Sequence, residues 1–297
     1  MAYINQLIFA NTGRGFYKMG KDIHWFPGHM KKALIQIQER VKLVDCVIEL
    51  LDARSPLSSR NEFLYKITEN KDRLIVLTKT DLADPTITEL WIEYFKKDNL
   101  VISVDLNNNK DVKKLIDIAS KSGIKKREKE LKKGIKPQPI RAMIVGIPNV
   151  GKSTLINKIA KRSAASVANT PGHTKSQQWI KVSNQFELLD TPGILPSNYE
   201  NKEHAINLAL IGSINENILP NDELAMKVID YLKANHKEQF VQKYNLNNLD
   251  DNYQIINQIG LRRGLLNKGI VDVSKVETLL LNEFKKGIIC RFTLERP

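Results

Sequence analysis

The sequence predicts an α/β fold, in which a domain with a doubly wound parallel sheet is followed by a small all-helical domain. Short apolar runs, typical of buried strands, alternate with helical patterns between residues 45 and 193. One of these runs leads directly into a glycine-rich turn at residues 146–153. After about residue 203, apolar side chains instead recur at the spacing of helix faces.

The turn at residues 146–153 is a complete phosphate-binding pattern, Gly-x-x-x-x-Gly-Lys-Ser. It lies between a buried strand pattern and a helical pattern, so backbone N–H groups and the positive helix end would point at a phosphate. Lys152 would reach the β- and γ-phosphates, and the Ser153 hydroxyl would bind Mg²⁺. The nucleotide-binding residues predicted here are Asn149, Val150, Gly151, Lys152, Ser153 and Thr154.

A base-reading motif lies upstream of the phosphate loop. The strand pattern at residues 73–77 ends in Thr78-Lys79-Thr80-Asp81. Asp81 can accept hydrogen bonds from guanine N1–H and the exocyclic amine, which adenine does not offer, and Lys79 can lie along the base. The usual first residue is Asn, so Thr78 keeps a hydroxyl but lacks the second polar arm.

A second base-reading motif, Ser103-Val104-Asp105, ends the next strand pattern and would supply a backbone N–H to guanine O6. In an ordinary GTPase both base motifs follow the phosphate loop. Here they precede it, the nearer one by about forty residues. This order indicates a circularly permuted GTPase that binds GTP and GDP.

A strand pattern downstream ends in Asp190-Thr191-Pro192-Gly193, which matches the Asp-x-x-Gly motif of a nucleotide switch. Asp190 would hold the Mg²⁺ shell, and the Gly193 N–H would meet the γ-phosphate. In the polar stretch before this strand, Thr174 is the candidate for the second hydroxyl on Mg²⁺, with Thr170 as the alternative.

The composition further restricts the class of protein to which the chain can belong. The two cysteines, Cys46 and Cys290, make no disulfide framework or zinc site, which indicates a reducing compartment, the cytoplasm. No apolar run approaches the ~18 residues of a membrane span. Net charge is +13, and residues 203–297 hold 12 Lys and Arg against 12 Asp and Glu, so the whole excess lies in residues 1–202.

The densest basic run covers residues 125–133 and suggests contact with RNA phosphates, although such runs are often solvated helix faces. A glycine-bracketed basic turn at residues 260–264 could also touch RNA, or could simply connect two helices. The candidate RNA-binding residues are Lys125, Lys126, Arg127, Lys132, Lys133, Arg262 and Arg263.

Three segments are expected: a flexible leader at 1–22, a permuted GTPase domain at 23–202, and a helical RNA- or ribosome-binding domain at 203–297. The leader lacks acidic residues before Asp22 and could be transit-like, which would place the protein in an organellar matrix. It could also be a disordered tail or precede a true start at Met19.

Two further motifs carry a family resemblance. Residues 24–33 read His-Trp-Phe-Pro-Gly-His-Met-Lys-Lys-Ala, and residues 52–56 read Asp-Ala-Arg-Ser-Pro. With the permuted motif order and helical tail, they resemble the YlqF/RbgA family of ribosome-assembly GTPases over nearly all the chain beyond the leader. The resemblance implies a factor for late maturation of the large ribosomal subunit, with rRNA contacts and hydrolysis stimulated by that subunit. We expect a monomer.

The residue after Gly193 is Ile194, where Ras-like enzymes place a water-orienting Gln. The resemblance assigns that role to His29. His173 is a rival, and His29 could instead only dock the N-terminal segment. Asn149 resembles the K⁺-binding asparagine of related GTPases, or is a structural residue of the loop. Two other functions stay open: an RNA-binding assembly chaperone in which GTP hydrolysis only triggers release, and a permuted GTPase of the small subunit.

Overall fold

The computed structural model describes residues 18–19, 22–24, 35–166, 179–189, 191, 193–195, 198–199, 201–214 and 219–297. Several predicted site residues lie outside these ranges: His29, Thr170, His173, Thr174 and Asp190. The side chain of Lys125 also lies outside the described part.

Six strands form the central sheet. They are β1 Cys46–Asp52, β2 Asp72–Thr78, β3 Leu100–Ser103, β4 Ile140–Val145, β5 Trp179–Ser183 and β6 Phe186–Leu189. Their order across the sheet is β3-β2-β1-β4-β6-β5. All neighbours are parallel except β5, which is antiparallel to β6. The predicted α/β fold is confirmed, with an antiparallel edge strand that the sequence pattern did not reveal.

The helices alternate with the strands in the first part of the chain and dominate the rest. In the sheet domain they are α1 Glu62–Ile67, α2 Pro85–Lys96, α3 Asn109–Lys121, α4 Ile124–Lys132 and α5 Lys152–Ser166. In the C-terminal region they are α6 Lys202–Leu210, α7 Asn221–Asn235, α8 Lys237–Tyr244, α9 Asn252–Arg262 and α10 Val273–Lys285. Residues 35–40 are also helical and continue into a 3-10 turn at Val41–Leu43.

Strand β1 lies at the centre of the sheet, and all seven of its residues are buried. A strand covered by helices on both faces has no solvent side, which is why its sequence is an almost continuous apolar run. The apolar core extends from this sheet into the C-terminal helices, because Leu50 and Ile144 belong to the same buried cluster as Val228 and Phe284. The sheet and the helical region therefore share one core.

The C-terminal region is not entirely helical, because Leu266–Asn267 and Ile270–Val271 form a short antiparallel hairpin. The predicted basic turn at residues 260–264 is also wrong in its first half, since Gly260 and Arg262 belong to α9. A Cβ atom at Gly260 would lie 2.3 Å from Val271 Cγ1. That glycine therefore permits the close approach of helix and hairpin and does not make a turn.

A small three-stranded antiparallel sheet joins the two ends of the predicted GTPase domain. Asp22–His24 is its middle strand and pairs with Lys18–Met19 on one side and Asn198–Tyr199 on the other. The predicted boundary between leader and domain at residue 22 therefore falls inside this sheet.

The last residues of the chain form an extended segment that packs against the sheet domain. Phe292 is fully buried and stacks on Phe284, with ring centroids 3.9 Å apart. The Phe292 N–H donates to Leu82 O at 3.0 Å, and the Leu294 N–H donates to Arg54 O at 2.8 Å. We call residues 291–295 the C-terminal segment.

Phe292→Ala should lower the free energy of unfolding by about 3–5 kcal/mol, because it removes a buried ring from the core between the helical region and the sheet domain. Urea unfolding followed by circular dichroism measures the change. Ile288→Ala is the matched control: this side chain is 48% exposed and only four residues away, so its removal should change little. Equal stability of the wild type and Phe292→Ala would show that the segment is not part of the cooperative core.

Candidate functional site

The candidate site lies at the carboxyl edge of the sheet, where β1 to β4 end side by side. Because these strands are parallel, the residues that follow each of them meet at one edge. The loop after β4 carries the phosphate-binding pattern, and the loops after β2 and β3 carry the two base-reading motifs. The Asp-Ala-Arg-Ser-Pro motif begins at the last residue of β1.

The phosphate loop has the backbone that its glycines predict. Gly151 has φ of +103°, and Asn149 also adopts a left-handed conformation with φ of +60°. Helix α5 begins at Lys152, so Lys152 and Ser153 occupy its first turn. Gly193 lies against this loop, because a Cβ atom there would be 3.1 Å from Pro148 N. The glycine of the predicted switch is thus beside the predicted phosphate site.

Thr78 connects the base-reading loop to the phosphate loop. Its side chain is fully buried, and its hydroxyl donates to Val150 O at 2.7 Å, with Leu51 O at 3.1 Å as a second acceptor. The usual asparagine at this position would tie the two loops through its amide. Here the threonine hydroxyl makes that connection.

Asp52, Arg54 and Lys79 form a charged cluster under the base-reading loop. Asp52 is fully buried, and its carboxylate accepts from Arg54 Nε at 2.9 Å and from Arg54 Nη2 at 2.8 Å. Lys79 Nζ lies 3.0 Å from Asp52 Oδ2. Burial alone would raise the pKa of Asp52, but Arg54 and Lys79 hold it below the ordinary carboxyl value.

This cluster positions Lys79, whose own backbone is in the left-handed region with φ of +57°. In the sequence, Asp52 and Arg54 stood out only as part of a family motif, and their contact with Lys79 was not predicted. The available signal was an Asp and an Arg placed directly after an apolar strand, where an uncompensated charge would be costly.

Asp81 stands at the opening of the site. Its side chain is exposed, and among the described residues no cation lies within ion-pair distance of it. Partial burial and the neighbouring Asp105 carboxylate raise the pKa of Asp81 above its ordinary value. A carboxylate in these surroundings would gain from two N–H donors, which is what guanine offers.

The second base-reading motif lies at the end of β3, and two of its N–H groups are bonded inside the protein. The Val104 N–H donates to Leu77 O at 2.8 Å, and the Asp105 N–H donates to the Asp111 carboxylate at 3.0 Å. The Val104 N–H thus extends the pairing of β3 with β2, and the Asp105 N–H joins β3 to the first turn of α3. Donation from this motif to guanine O6 stays a prediction.

Asn149 connects the phosphate loop to the helical region. Its side-chain nitrogen donates to Gly212 O at 2.9 Å, and Gly212 follows the end of α6 with φ of +77°. This bond uses only the nitrogen of the amide and not the oxygen, which is the atom that a K⁺ ion would bind. The bond gives Asn149 a structural contact and leaves its amide oxygen for the predicted K⁺ ion, so both interpretations of Asn149 stay open.

The basic run does not act as one exposed face. Lys126 Nζ pairs with Asp45 Oδ2 at 2.9 Å, and Arg127 Nη2 donates to Gln185 O at 3.2 Å. Lys132 and Lys133 are exposed. In the C-terminal region Arg262 and Arg263 are exposed, with Arg263 at 5.4 Å over the Tyr244 ring. The predicted RNA contacts of Lys126 and Arg127 thus compete with contacts inside the protein.

Within the described residues, no three His, Cys, Asp or Glu side chains come together as a metal site. In the same residues no helix is both long and apolar enough to cross a bilayer. Ser153 is the described member of the predicted Mg²⁺ ligands, and its exposed position in the first turn of α5 suits an ion shared with a nucleotide phosphate.

Comparison with known proteins agrees with this site. A family profile described as "50S ribosome-binding GTPase" matches residues 141–258. Ribosome biogenesis GTPase A of Bacillus cereus is 44% identical over 278 residues, which cover 93% of this chain and 94% of that protein. Mitochondrial ribosome-associated GTPase 1 of Ictalurus punctatus is 35% identical and covers 78% of this chain and 75% of its own.

Among solved structures, GNP-bound YlqF from T. maritima is 28% identical with a TM-score of 0.60, and the match covers 90% of this chain and 98% of that one. The fold, the loops at the carboxyl edge and the relatives agree. The chain belongs to the ribosome biogenesis GTPase A family and is a GTP hydrolase that functions in ribosome assembly.

Proposed function

We propose that the chain binds GTP between its phosphate loop and its base-reading loop and hydrolyses it during late assembly of the large ribosomal subunit. One observation carries the placement of the nucleotide. The Thr78 hydroxyl joins the two loops through Val150 O, so the residues for phosphate and for base lie at one edge of the sheet. The large subunit is proposed because the matching family profile is described as 50S ribosome-binding.

Guanine is read by Asp81 in this proposal, with Lys79 along the base. The buried Asp52 carboxylate holds the Lys79 ammonium in place through their ion pair. Asp81 has no such ion pair within the described part of the chain, and partial burial and the Asp105 carboxylate raise its pKa against the opposing charges of Arg54 and Arg291. The N1–H and amine of guanine would stabilise the ionised form.

Asp81→Asn should shift preference from GTP towards xanthosine triphosphate, because an amide can donate to the oxygen that replaces the guanine amine. Isothermal titration with both nucleotides measures the shift. Asp98→Asn, at an exposed position just beyond α2, is the matched control and should leave both affinities unchanged. Unchanged GTP affinity in Asp81→Asn would mean that another residue reads the base.

The phosphates would be held by Lys152 and by the backbone N–H groups at the start of α5. Ser153 would bind Mg²⁺, together with Asp190 and either Thr174 or Thr170 from outside the described residues. The bound ion would neutralise charge on the phosphates. Asn149 would add a K⁺ ion through its amide oxygen, while its nitrogen keeps the bond to Gly212 O.

Hydrolysis needs a group that orients the attacking water, and Ile194 does not supply one. The Ile194 side chain is fully buried, and the Asn61 amide donates to its carbonyl at 2.9 Å. The side chain that replaces the usual glutamine therefore belongs to the core. We propose His29 as the water-orienting residue, with His173 as the alternative.

His29→Ala should leave GTP affinity nearly unchanged, because the ring would act on water and not on the nucleotide. Subunit-stimulated hydrolysis should fall by about 10²–10⁴-fold, the range expected when a proton-handling side chain is lost. Phosphate release on saturating large subunits measures the rate. His173→Ala is the matched control: if it alone causes the loss, the catalytic residue is His173 and His29 only docks the N-terminal segment.

Ribosomal RNA would be contacted by exposed basic residues, among them Lys132, Lys133, Arg262 and Arg263. Binding should then weaken steeply as salt rises, in proportion to the phosphates neutralised. The proposed compartment is the cytoplasm, with an organellar matrix as the alternative, and the proposed state is a monomer.

Co-sedimentation with isolated large and small subunits tests the partner, with a GTP analogue, GDP or no nucleotide. We expect binding to the large subunit with the GTP analogue, and a smaller salt slope for the Lys132→Gln/Lys133→Gln variant. Lys96→Gln/Lys97→Gln, two adjacent exposed lysines at the end of α2, is the matched control. Preference for the small subunit would contradict the proposal. Normal assembly of the ribosomal subunit in the absence of GTP turnover would instead favour the alternative in which hydrolysis only triggers release of the protein.

A further inference from the structure

The C-terminal segment, residues 291–295, lies between the base-reading loop and the Asp-Ala-Arg-Ser-Pro loop. On one side, the Arg291 guanidinium donates from Nε to Ala83 O at 2.8 Å and from Nη2 to Thr80 O at 2.6 Å. The Phe292 N–H donates to Leu82 O at 3.0 Å. The carbonyl groups on both sides of Asp81 are thus held by the far end of the chain.

On its other side the segment is bonded to the loop after β1. Thr293 Oγ1 donates to Ala53 O at 3.3 Å and accepts from the Asp84 N–H at 3.2 Å. The Glu295 carboxylate accepts from the Leu57 N–H at 2.7 Å and from the Ser58 N–H at 3.0 Å. The segment therefore fixes the distance between the two loops.

The position of Asp81 depends on its backbone. The side chain is exposed and has no ion pair within the described residues, although the charges of Arg54 and Arg291 act on its carboxylate to lower its pKa, so packing does not hold the carboxylate in place. Lys79, two residues earlier, is in a left-handed conformation that ordinary side chains adopt rarely. A loop of this kind keeps one geometry when its surroundings determine it. The two charge-assisted hydrogen bonds from Arg291 to Ala83 O and Thr80 O help to hold the loop in this one geometry.

We propose that Arg291 is a positioning residue for guanine recognition, which orients the Thr80–Ala83 backbone so that Asp81 meets the base edge. The inference rests on the proposed role of Asp81. It makes the docked C-terminal segment part of the guanine site through the loop backbone that the segment holds. Since GDP and GTP carry the same base, the segment affects both equally, unlike a switch that responds to the γ-phosphate.

The test compares GDP with inosine diphosphate, which lacks the exocyclic amine that Asp81 would accept from. In the wild-type full-length chain the ratio of the two affinities should be about 10, the effect of one charge-assisted hydrogen bond. Arg291→Ala should lower GDP affinity about tenfold and bring the ratio towards one. Arg291→Lys, which can reach one carbonyl and not both, should lie between them. Isothermal titration gives all the affinities, and thermal melting without nucleotide monitors the fold.

Arg296→Ala is the matched control, because this exposed arginine has the same charge and, within the described residues, no hydrogen bond to the base-reading loop. It should keep the wild-type ratio. If Arg291→Ala leaves the ratio of the two affinities unchanged, the proposal is overturned. This holds whether both affinities stay the same or both fall by the same factor, since general destabilisation has no base preference. If Asp81→Asn leaves the ratio of GDP to inosine diphosphate unchanged, the proposed role of Asp81 fails first, and the two failures are thereby distinguished.

Discussion

The buried ion pair between Asp52 and Arg54 is the interaction on which the junction of the two regions depends. The guanidinium donates to the Asp52 carboxylate, to Ile211 O at 2.8 Å and to Lys285 O at 2.8 Å. The Asp52 and Arg54 side chains are only 0% and 2% exposed. Their charges are tolerated there because these hydrogen bonds, and the ion pair of Asp52 with Lys79, satisfy them. Loss of one partner from such a pair typically costs about 3–5 kcal/mol, since the other charge stays buried. The sheet domain therefore needs the helical region in order to bury its own motif.

The helical region is bonded to both loops of the candidate nucleotide site. At the phosphate end, Asn149 donates to Gly212 O. At the base end, the C-terminal segment holds the carbonyls beside Asp81. Arg54 joins the two ends, because it reaches Ile211 and also stabilises Lys79 through Asp52. A displacement of the helical region would thus alter the phosphate loop and the base-reading loop together.

The sequence predicted the parts of the structure that rest on local patterns. The buried strand predicted directly before the phosphate loop is β4, which ends at Val145. Strand β5 was missed, because a half-exposed edge strand has no continuous apolar run. Gly260 was assigned to a turn because its real role, close contact with Val271 eleven residues later, depends on how the hairpin packs against α9. The contacts of Arg291 are more distant still, and no spacing rule relates an arginine near the end of the chain to carbonyls in a loop after β2.

The order of the motifs explains why such a distant contact is useful. The helical region follows the Asp-x-x-Gly segment in the chain, so its covalent attachment is on the phosphate side of the site. Its last residues return to the base side and bind there without covalent attachment, through hydrogen bonds and through Phe292. A region attached at two sides of a site cannot rotate about one attachment without straining or releasing the other. Because the covalent connection cannot separate, a rotation of the helical region that starts at the phosphate side would have to be accommodated by the noncovalent contacts at the base side. A rotation of the helical region would therefore strain or release the C-terminal segment, whose Arg291 holds the carbonyls beside Asp81.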